Sequence, residues 1–469
     1  MAPLGWVWLA LVVMTVAPKW PGVFTVDSQA MYRSGLENEV SDWYAPLHAA
    51  AWGFTGKVWL PVWIVTVAGV GLFVLAVIAV LRLDLTSRQT AAATVVVVLW
   101  PPVYGLLSWV GRDVWFASWL LLAIWATMRA ARSERPWRYL AGAAAFALLA
   151  ADARQNGIPL ILFVMAVAIV LARHRPPRRL MKSTVAVACC LFAWLVLQAA
   201  QSVVVQHDHH PEQYLYLHDL AELTIRTDQT LLPEDVFPSQ DRDDLAKLSG
   251  PTLLGDAVRL GILLPHLYSD DHLCLDRVLL RWCTGDSLSD RTNRDLRDRW
   301  IDAIRSEPIK YLDARAGMYA RQLGLSGLED NPFYGRSDEL DWDRSPQLRQ
   351  RWPGMNDLHT DALLWLSESR YIAWIYAPVL YLLAGLGAAA ALIVVRRDRT
   401  CWILVFGLQL ALQTTLFVST PVVRFRYQYF QVVLGIVLTI MAVHQLRQHK
   451  WSRYCDGDPR TPGEPISPT

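Results

Sequence analysis

Long apolar runs separated by short polar segments dominate the pattern of hydrophobic positions along this chain. A helix needs roughly 20 consecutive apolar residues to cross a bilayer, and several runs reach or approach that length. We therefore predict an all-α polytopic membrane protein with about ten transmembrane helices. The predicted spans are Leu4–Ala17, Val58–Leu81, Ala91–Val110, Val114–Met128, Tyr139–Ala151, Ile158–Ala172, Thr184–Val205, Tyr371–Val395, Cys401–Val418 and Tyr429–Val443.

Basic residues concentrate in the segments that follow the even-numbered spans, for example at Arg129–Arg138 and Arg173–Lys182. Because short loops rich in lysine and arginine usually face the cytoplasm, this bias predicts how the chain is oriented. The loop after the first span and the large polar region at 207–370 then lie on the extracytoplasmic side. The expected location is the cell (inner or plasma) membrane, crossed several times.

Four parts are predicted along the chain. An N-terminal transmembrane module at 1–206 includes the first outer loop at 19–57, which contains an amphipathic piece at Ala30–Val40. A mainly helical extracytoplasmic region follows at 207–370, with a helix at Asp286–Leu325 that Pro308 interrupts. Further transmembrane helices occupy 371–446, and the polar segment 447–469 is expected to be a disordered cytoplasmic tail.

Composition narrows the possible function classes. Of the 469 residues, 54% are hydrophobic and 18% are charged, and the formal net charge is +2. A nucleic-acid-binding protein would show a basic patch, so we expect no nucleic-acid partner. The six cysteines show no metal-ligand spacing. Cys274 and Cys283 form either a disulfide or two free thiols, depending on the redox compartment.

Motifs for cofactors are absent from the chain. It contains no phosphate-binding Walker loop, no glycine-rich dinucleotide fingerprint and no His-Glu-x-x-His zinc motif, so we expect no cofactor. The tract His207–His210 is histidine-rich and could bind a metal ion. Because it directly follows a predicted span, a solvated connector is the favoured interpretation, and a divalent metal is possible but not favoured.

The first outer loop carries an acidic residue close to the membrane. Asp27 follows the first apolar run by a few residues, and acids at such positions are costly and often functional. It could act as a general base. It could equally cap the N-terminus of a helix that begins at Ala30, because aspartate is a preferred N-cap residue.

Four arginines adjoin span ends on the predicted outer side, which runs against the usual charge bias. Guanidinium groups bind phosphate oxygens in a bidentate manner, so such a cluster suits a phosphate headgroup whose tail lies in lipid. The alternative is ion pairing, of Arg112 with Asp113 and of Arg154 with Asp152. Asp113 is either a second active-site acid or the cap of a helix that begins at Val114. The arginines are Arg112, Arg154, Arg424 and Arg426.

Together, these motifs resemble those of a known enzyme superfamily. They are Asp27 in the first outer loop, the closing sequence Asp-Trp-Tyr-Ala-Pro-Leu at Asp42–Leu47, the turn Gly111–Asp113, and many spans followed by a large outer region. The chain is similar to polytopic glycosyltransferases of the C-type fold, which include protein O-mannosyltransferases and family 39-like aminoarabinose lipid A transferases. The family's corresponding sequence is Asp-Trp-His-Pro-Pro-Leu.

The resemblance implies transfer of a sugar from a polyprenyl-phosphate donor to an acceptor hydroxyl, with inversion, on the extracytoplasmic face. The acceptor would be a cell-envelope glycan, lipid or protein. Asp27 would be the base and Asp113 a second acid, and the arginines would neutralise the departing phosphate. Residues implied to line the acceptor or donor pocket are Ser28, Tyr44, His48 and Asn156.

Two departures from the family pattern bear on this interpretation. Relatives often carry paired acids in the first loop, whereas Asp27 is followed by Ser28, which makes a carboxylate-bound metal less expected. Tyr44-Ala45 stands where the family has His-Pro. The family's histidine is therefore missing at this position, and His48 is the residue that could substitute for it. The alternative functions are a membrane transporter or lipid-carrier flippase, and a non-catalytic scaffold for cell-envelope assembly.

Overall fold

The computed structural model shows a helical protein. It describes residues 2–20, 26–40, 45–58, 63–107, 109, 111–154, 157–173, 195, 197–205, 212–227, 229, 231, 290–325, 373–396, 398–420 and 425–456. Every element within these ranges is a helix, which confirms the predicted all-α class for them. The candidates that lie outside the described residues are Tyr44, Asn156, Arg424, the tract His207–His210, Cys274 and Cys283.

Fifteen α-helices are assigned in the described ranges. The first nine are α1 (Ala2–Val16), α2 (Val26–Glu37), α3 (Pro46–Lys57), α4 (Trp63–Leu81), α5 (Ser87–Leu99), α6 (Pro101–Leu107), α7 (Arg112–Arg132), α8 (Pro136–Ala153) and α9 (Ile158–Arg173). The others are α10 (Glu212–Thr227), α11 (Asp290–Ser306), α12 (Pro308–Gln322), α13 (Pro378–Val395), α14 (Arg399–Ser419) and α15 (Tyr429–Asp456). Short 3₁₀ turns lie at Ala17–Lys19, Ala373–Tyr376 and Phe425–Gln428.

The apolar helices make this a membrane protein. Within the described residues, five helices are long and apolar enough to cross a bilayer, at Trp63–Leu81, Arg112–Arg132, Pro378–Val395, Arg399–Ser419 and Phe425–His449. Shorter apolar helices lie at Pro3–Val16 and Ile158–Val170. The other predicted spans stay predictions, and Thr184–Val205 lies mostly outside the described residues.

The predicted span Ala91–Val110 is not one straight helix. Its two parts, α5 and α6, are bent by 73° at the junction before Pro101, and together they count as a sixth candidate span. Pro101 and Pro102 lack backbone N–H groups, and a proline ring clashes with the preceding helical turn. A proline fits well at the first position of a new helix, which is where Pro101 stands.

A charged cluster joins three connections at one end of the bundle. Arg132 at the end of α7 pairs with Asp84 after α4 at 3.1 Å and with Asp398 before α14 at 3.0 Å. Arg396 pairs with Asp84 at 2.9 Å. Burial alone would raise the pKa of Asp398, but hydrogen bonds and charge from Arg396 and Arg132 hold that pKa below its usual range. All three connections belong to the predicted basic side of the chain.

The segment 19–57, which the sequence predicts as the first outer loop, contains the helical hairpin α2–α3. Helix α2 begins at Val26, four residues before the predicted Ala30, and Asn38 ends it with a left-handed backbone (φ 62°). Glu39 N–H donates to Ser34 C=O at 2.8 Å, which completes a Schellman-type helix end. Because α2 and α3 have 12 residues each, neither is long enough to cross a bilayer.

The hairpin packs tightly on itself and on the bundle. Gly35 and Gly53 face each other, and a Cβ atom on either glycine would collide with the backbone of the other helix. A small apolar cluster that includes Met31 and Trp52 also contains Val65 of α4. Trp115 of α7 packs against the same cluster. The hairpin is therefore anchored on α4 and α7.

Helices α11 and α12 confirm the prediction of an interrupted helix. They occupy Asp290–Ser306 and Pro308–Gln322, with Pro308 at the first position of the second helix. On their buried side, Arg315 pairs with Asp219 of α10 at 2.5 Å, and Trp300 donates to the same carboxylate at 2.9 Å. Burial raises the pKa of Asp219, while the charge of Arg315 and these hydrogen bonds oppose that shift.

Helix α12 also contacts the C-terminal membrane helices. Arg315 donates to Thr420 C=O at 2.7 Å, and the Tyr319 hydroxyl donates to Gln413 at 2.7 Å. Gln413 belongs to a network of buried amide side chains on α14, α15 and the turn between them. Its members are Gln409, Gln413, Gln428 and Gln431.

The last helix is longer than expected from the sequence. Helix α15 continues to Asp456, which extends it into the segment 447–469 that we expected to be disordered. Glutamine, arginine, lysine and leucine make up half of residues 445–456. These residues have high helix propensity, so they continue the helix that the apolar stretch begins.

The close crossing of α2 and α3 predicts a specific sensitivity. We expect Gly53→Ala to lower stability by about 1–3 kcal/mol, because the new methyl group would collide with backbone of α2. Gly407→Ala is the matched control, since a Cβ atom there meets open space and alanine favours helix. The measurement is the thermal unfolding midpoint in detergent. Equal midpoints for the two variants would contradict the close crossing.

Candidate functional site

A buried histidine–aspartate pair joins α3 to α8. His48 lies in the first turn of α3 and Asp152 in the last turn of α8. His48 Nδ1 and Asp152 Oδ2 are 2.5 Å apart, and the two side chains are 8% and 0% exposed. Residues 104 positions apart in the chain thus form one hydrogen-bonded unit.

Asp152 receives hydrogen bonds from two further groups. Gln201 Nε2 donates to Asp152 Oδ1 at 2.7 Å, and the backbone N–H of Leu47 approaches the same oxygen at 3.4 Å. A carboxylate at a helix C-terminus faces the negative end of the helix dipole, so this position disfavours aspartate locally. The donors from α3 and from the helical piece at 197–204 compensate for that disadvantage.

An aromatic side chain borders the histidine ring. Trp115 of α7 meets His48 edge to face, with ring centroids 5.9 Å apart, and it lies 6.0 Å from Trp119 on the same helix. Within the described part of the chain, His48 Nε2 makes no hydrogen bond. The ring is therefore fixed through Nδ1 and bordered by an indole, and its second nitrogen has no partner among the described residues.

An ion pair connects the ends of α7 and α8 at the same end of the bundle. Arg154, directly after α8, pairs with Asp113 in the first turn of α7, and the side chains are 10% and 12% exposed. A negative charge is favourable at a helix N-terminus, which suits Asp113. The predicted alternative of an Arg154–Asp152 pair is therefore wrong. Arg154 pairs with Asp113 instead, and Asp152 bonds to His48.

Asp113 does not cap a helix that begins at Val114. Helix α7 begins at Arg112, and its N-cap residue is Gly111, which has no side chain to cap the free backbone N–H groups. A Cβ atom on Gly111 would meet open space. Helix α5 offers a contrast, because Thr86 and Gln89 form a complete capping box at its N-terminus.

Arg112 differs from the other arginines of this end. It is half-buried and makes no ion pair or hydrogen bond with any residue in the described ranges. The predicted alternative of an Arg112–Asp113 pair is therefore not formed, since Asp113 pairs with Arg154. A helix N-terminus with free N–H groups and an adjacent guanidinium group is a suitable site for an anion.

The ring of Tyr427 contacts two of the candidate arginines, Arg154 and Arg426. The guanidinium group of Arg154 lies over its ring at 4.5 Å from the centroid, and that of Arg426 lies at 5.6 Å. Such cation–π contacts orient an arginine without neutralising its charge. The structure therefore brings Arg154 and Arg426 to one aromatic ring.

The first-loop candidates lie on α2. Asp27 is the second residue of this helix, so it does not precede it as the N-cap of a helix starting at Ala30 would. The Asp27 side chain lies outside what the structure describes, and its catalytic role stays a prediction. Ser28 is only 2% exposed and has an interaction partner. Nowhere in the described ranges do three or more His, Cys, Asp or Glu residues group as for a metal ion.

Asp152 is the site residue whose role the sequence interpretation missed. The sequence predicts Asp152 only as an ion-pair partner for Arg154. The available signal was an aspartate at the end of an apolar, alanine-rich run, a position where an acid needs a specific partner. Gln201 and Trp115 carried no such signal, because both lie in stretches that predict apolar helices.

The fold and the charged residues define a helical membrane protein with a polar site at one end of its bundle. A scan against models of protein families, a search of curated proteins and a search of solved structures each found no match.

The Asp113–Arg154 pair predicts a coupling between two helix ends. We expect Asp113→Asn and Arg154→Gln each to lower stability by about 1–3 kcal/mol, because each removes one member of a largely buried ion pair. The double variant should lose less than the sum of the two losses. Thermal unfolding in detergent measures all three.

Asp313→Asn provides the control for this cycle. Asp313 pairs with Arg226, but its side chain is 72% exposed, so its loss should change stability by less than about 0.5 kcal/mol. Strictly additive losses for Asp113 and Arg154 would show that the two side chains do not act as a pair.

Proposed function

We propose that this protein is a membrane glycosyltransferase. It transfers a sugar, with inversion, from a polyprenyl-phosphate donor to an acceptor hydroxyl on the extracytoplasmic face. The observation that carries the proposal is the positive charge around the start of α7, from Arg112, Arg154 and Arg426. The resemblance of Asp27, Asp42–Leu47 and Gly111–Asp113 to glycosyltransferase motifs supplies the reaction class.

The phosphate of the donor suits the N-terminus of α7. Free backbone N–H groups, the positive end of the helix dipole and the available guanidinium of Arg112 all favour an anion there. Helix α7 is long enough to cross a bilayer. An anion bound at its end would therefore lie near the membrane boundary, where the headgroup of a lipid-linked sugar is located.

Arg154 and Arg426 would support the departing phosphate. Both are oriented by Tyr427, and Arg154 is also held by Asp113. Preorganised donors stabilise charge as it develops, and one such donor is worth about 10²–10³ in rate. Because Asp113 holds Arg154, its contribution here is to position a cation rather than to exchange a proton.

The resemblance implies Asp27 as the group that accepts the proton of the acceptor hydroxyl. Helix α2, which carries Asp27, packs against α3, which carries His48. The first outer loop thus contains both a carboxylate and an imidazole as candidates for this step. General-base assistance contributes about 10²–10⁴ in rate.

We expect Arg112→Ala to weaken binding of a polyprenyl-phosphate sugar by about 10- to 100-fold, since a hydrogen bond to a charged group contributes about 1.5–3 kcal/mol. The unfolding midpoint should not change, because Arg112 has no partner among the described residues. Arg88→Ala is the matched control. Arg88 also lies in the first turn of a helix, but it is exposed and that N-terminus is already capped.

Turnover by the purified protein separates the alternatives. The proposal requires transfer of sugar to a hydroxyl acceptor, with the anomeric configuration of the product inverted relative to the donor by NMR. A flippase would move the lipid across vesicles without transferring the sugar, and a scaffold would do neither. Equal donor affinity in Arg112→Ala and the unmodified protein would remove the phosphate site from the proposal.

A further inference from the structure

We infer that the His48–Asp152 pair accepts the proton of the acceptor hydroxyl, with His48 Nε2 as the base and Asp152 as its positioning residue. This inference rests on the proposed function. It assigns to His48 the step for which the resemblance implies Asp27.

The hydrogen bond between the two side chains determines which ring nitrogen is free. Asp152 Oδ2 lies 2.5 Å from His48 Nδ1, and an ionised carboxylate only accepts hydrogen bonds. The proton therefore resides on Nδ1 in the neutral ring, and Nε2 keeps its lone pair. A carboxylate that fixes the tautomer in this way also stabilises the imidazolium ion formed when Nε2 takes a proton.

The pair is held rigidly. Asp152 Oδ1 accepts from Gln201 at 2.7 Å, so the carboxylate cannot rotate without losing that bond. Trp115 borders the imidazole ring, and Leu47 N–H approaches the same carboxylate from the start of α3. Asp152 of α8 and Trp115 of α7 thus contact the imidazole, and Gln201 and Leu47 N–H hold the carboxylate that positions it.

The location of the pair agrees with this role. Asp152 lies two residues before Arg154, and Trp115 lies two residues after Asp113. The His48–Asp152 pair and the Arg154–Asp113 ion pair therefore lie at the same ends of α7 and α8.

The proposed step transfers one proton and exchanges one bond. The acceptor hydroxyl gives its proton to His48 Nε2 while its oxygen forms a bond to the anomeric carbon. The bond from that carbon to the phosphate oxygen breaks, and polyprenyl phosphate leaves with the electron pair. His48 is then an imidazolium ion paired with Asp152, and it releases the proton to solvent.

The central experiment measures kcat and donor affinity of purified variants. His48→Ala and His48→Gln should lower kcat by about 10²–10⁴ while donor affinity stays unchanged, because the base does not bind the phosphate. Asp152→Asn should lower kcat in the same direction. His444→Gln is the matched control. His444 contacts Gln448 in the C-terminal half of α15, so this variant should keep the turnover of the unmodified protein.

Chemical rescue separates a base from a packing residue. Added imidazole should restore turnover to His48→Ala by occupying the vacated space. Pyrazole has the same size and shape but is a much weaker base, so it should not. Equal rescue by both compounds would mean that His48 only fills space, and this result would overturn the inference. His48→Gln, which keeps a side-chain amide near Asp152, serves if His48→Ala does not fold.

The inference and the proposed function fail in different ways. If the unmodified protein transfers no sugar, the proposed function fails and the inference fails with it. If the unmodified protein transfers sugar and His48→Gln does so at the same rate, the function stands and His48 is not the base. A loss of donor affinity with unchanged kcat in His48→Gln would likewise exclude a role in proton transfer.

Discussion

The Asp152 carboxylate is the point at which three separate parts of the chain are joined. It lies in the last turn of α8, accepts a hydrogen bond from His48 of α3, and accepts another from Gln201. A fully buried carboxylate is stable only when donors surround it. The position of the α2–α3 hairpin therefore depends on this carboxylate and its donors as well as on the apolar cluster that the hairpin forms with Val65 and Trp115.

Charged side chains are paired differently at the two ends of the bundle. At one end, Asp84 and Asp398 are shared by Arg132 and Arg396, so acids and bases are matched. At the other end, Asp113 forms an ion pair with Arg154, and Arg112 has no partner among the described residues. The first arrangement is self-sufficient and fixes helix ends. The second leaves positive charge beside an uncapped helix N-terminus, which is the arrangement that an anionic ligand would complete.

Local sequence signals predicted the helices but not which side chains contact each other. Apolar runs and proline positions were enough to predict the helical class and the break at Pro308. Pro101 is a comparable signal for the bend between α5 and α6. The sequence analysis nevertheless predicts one span there, because the apolar run continues through the proline. The partner of Arg154 depended on which helix ends face each other. The choice of Asp113 over Asp152 follows from the packing of α7 against α8, which no local pattern encodes.

The pairing of His48 with Asp152 illustrates the same limit at longer range. The 104 positions between them include four helices and several turns, so their contact is a property of the folded bundle. What the sequence did contain was an indirect sign, an acid where an apolar helix ends. Such a residue predicts that a donor must exist, and it does not say from which helix the donor comes.

The buried glutamines have a consequence for how the C-terminal helices enter the bilayer. Gln413 bonds to Gln428 and Gln431, and Gln431 bonds to Gln409, so these amides satisfy one another across α14 and α15. Either helix alone would carry its amides into hydrocarbon without partners, at a cost for each group. Gln409 and Gln431 also donate to the carbonyls of Gly385 and Tyr381 on α13. The unit in which these amides are satisfied is therefore the set of α13, α14 and α15, which makes this set, rather than the single helix, the natural unit of membrane insertion.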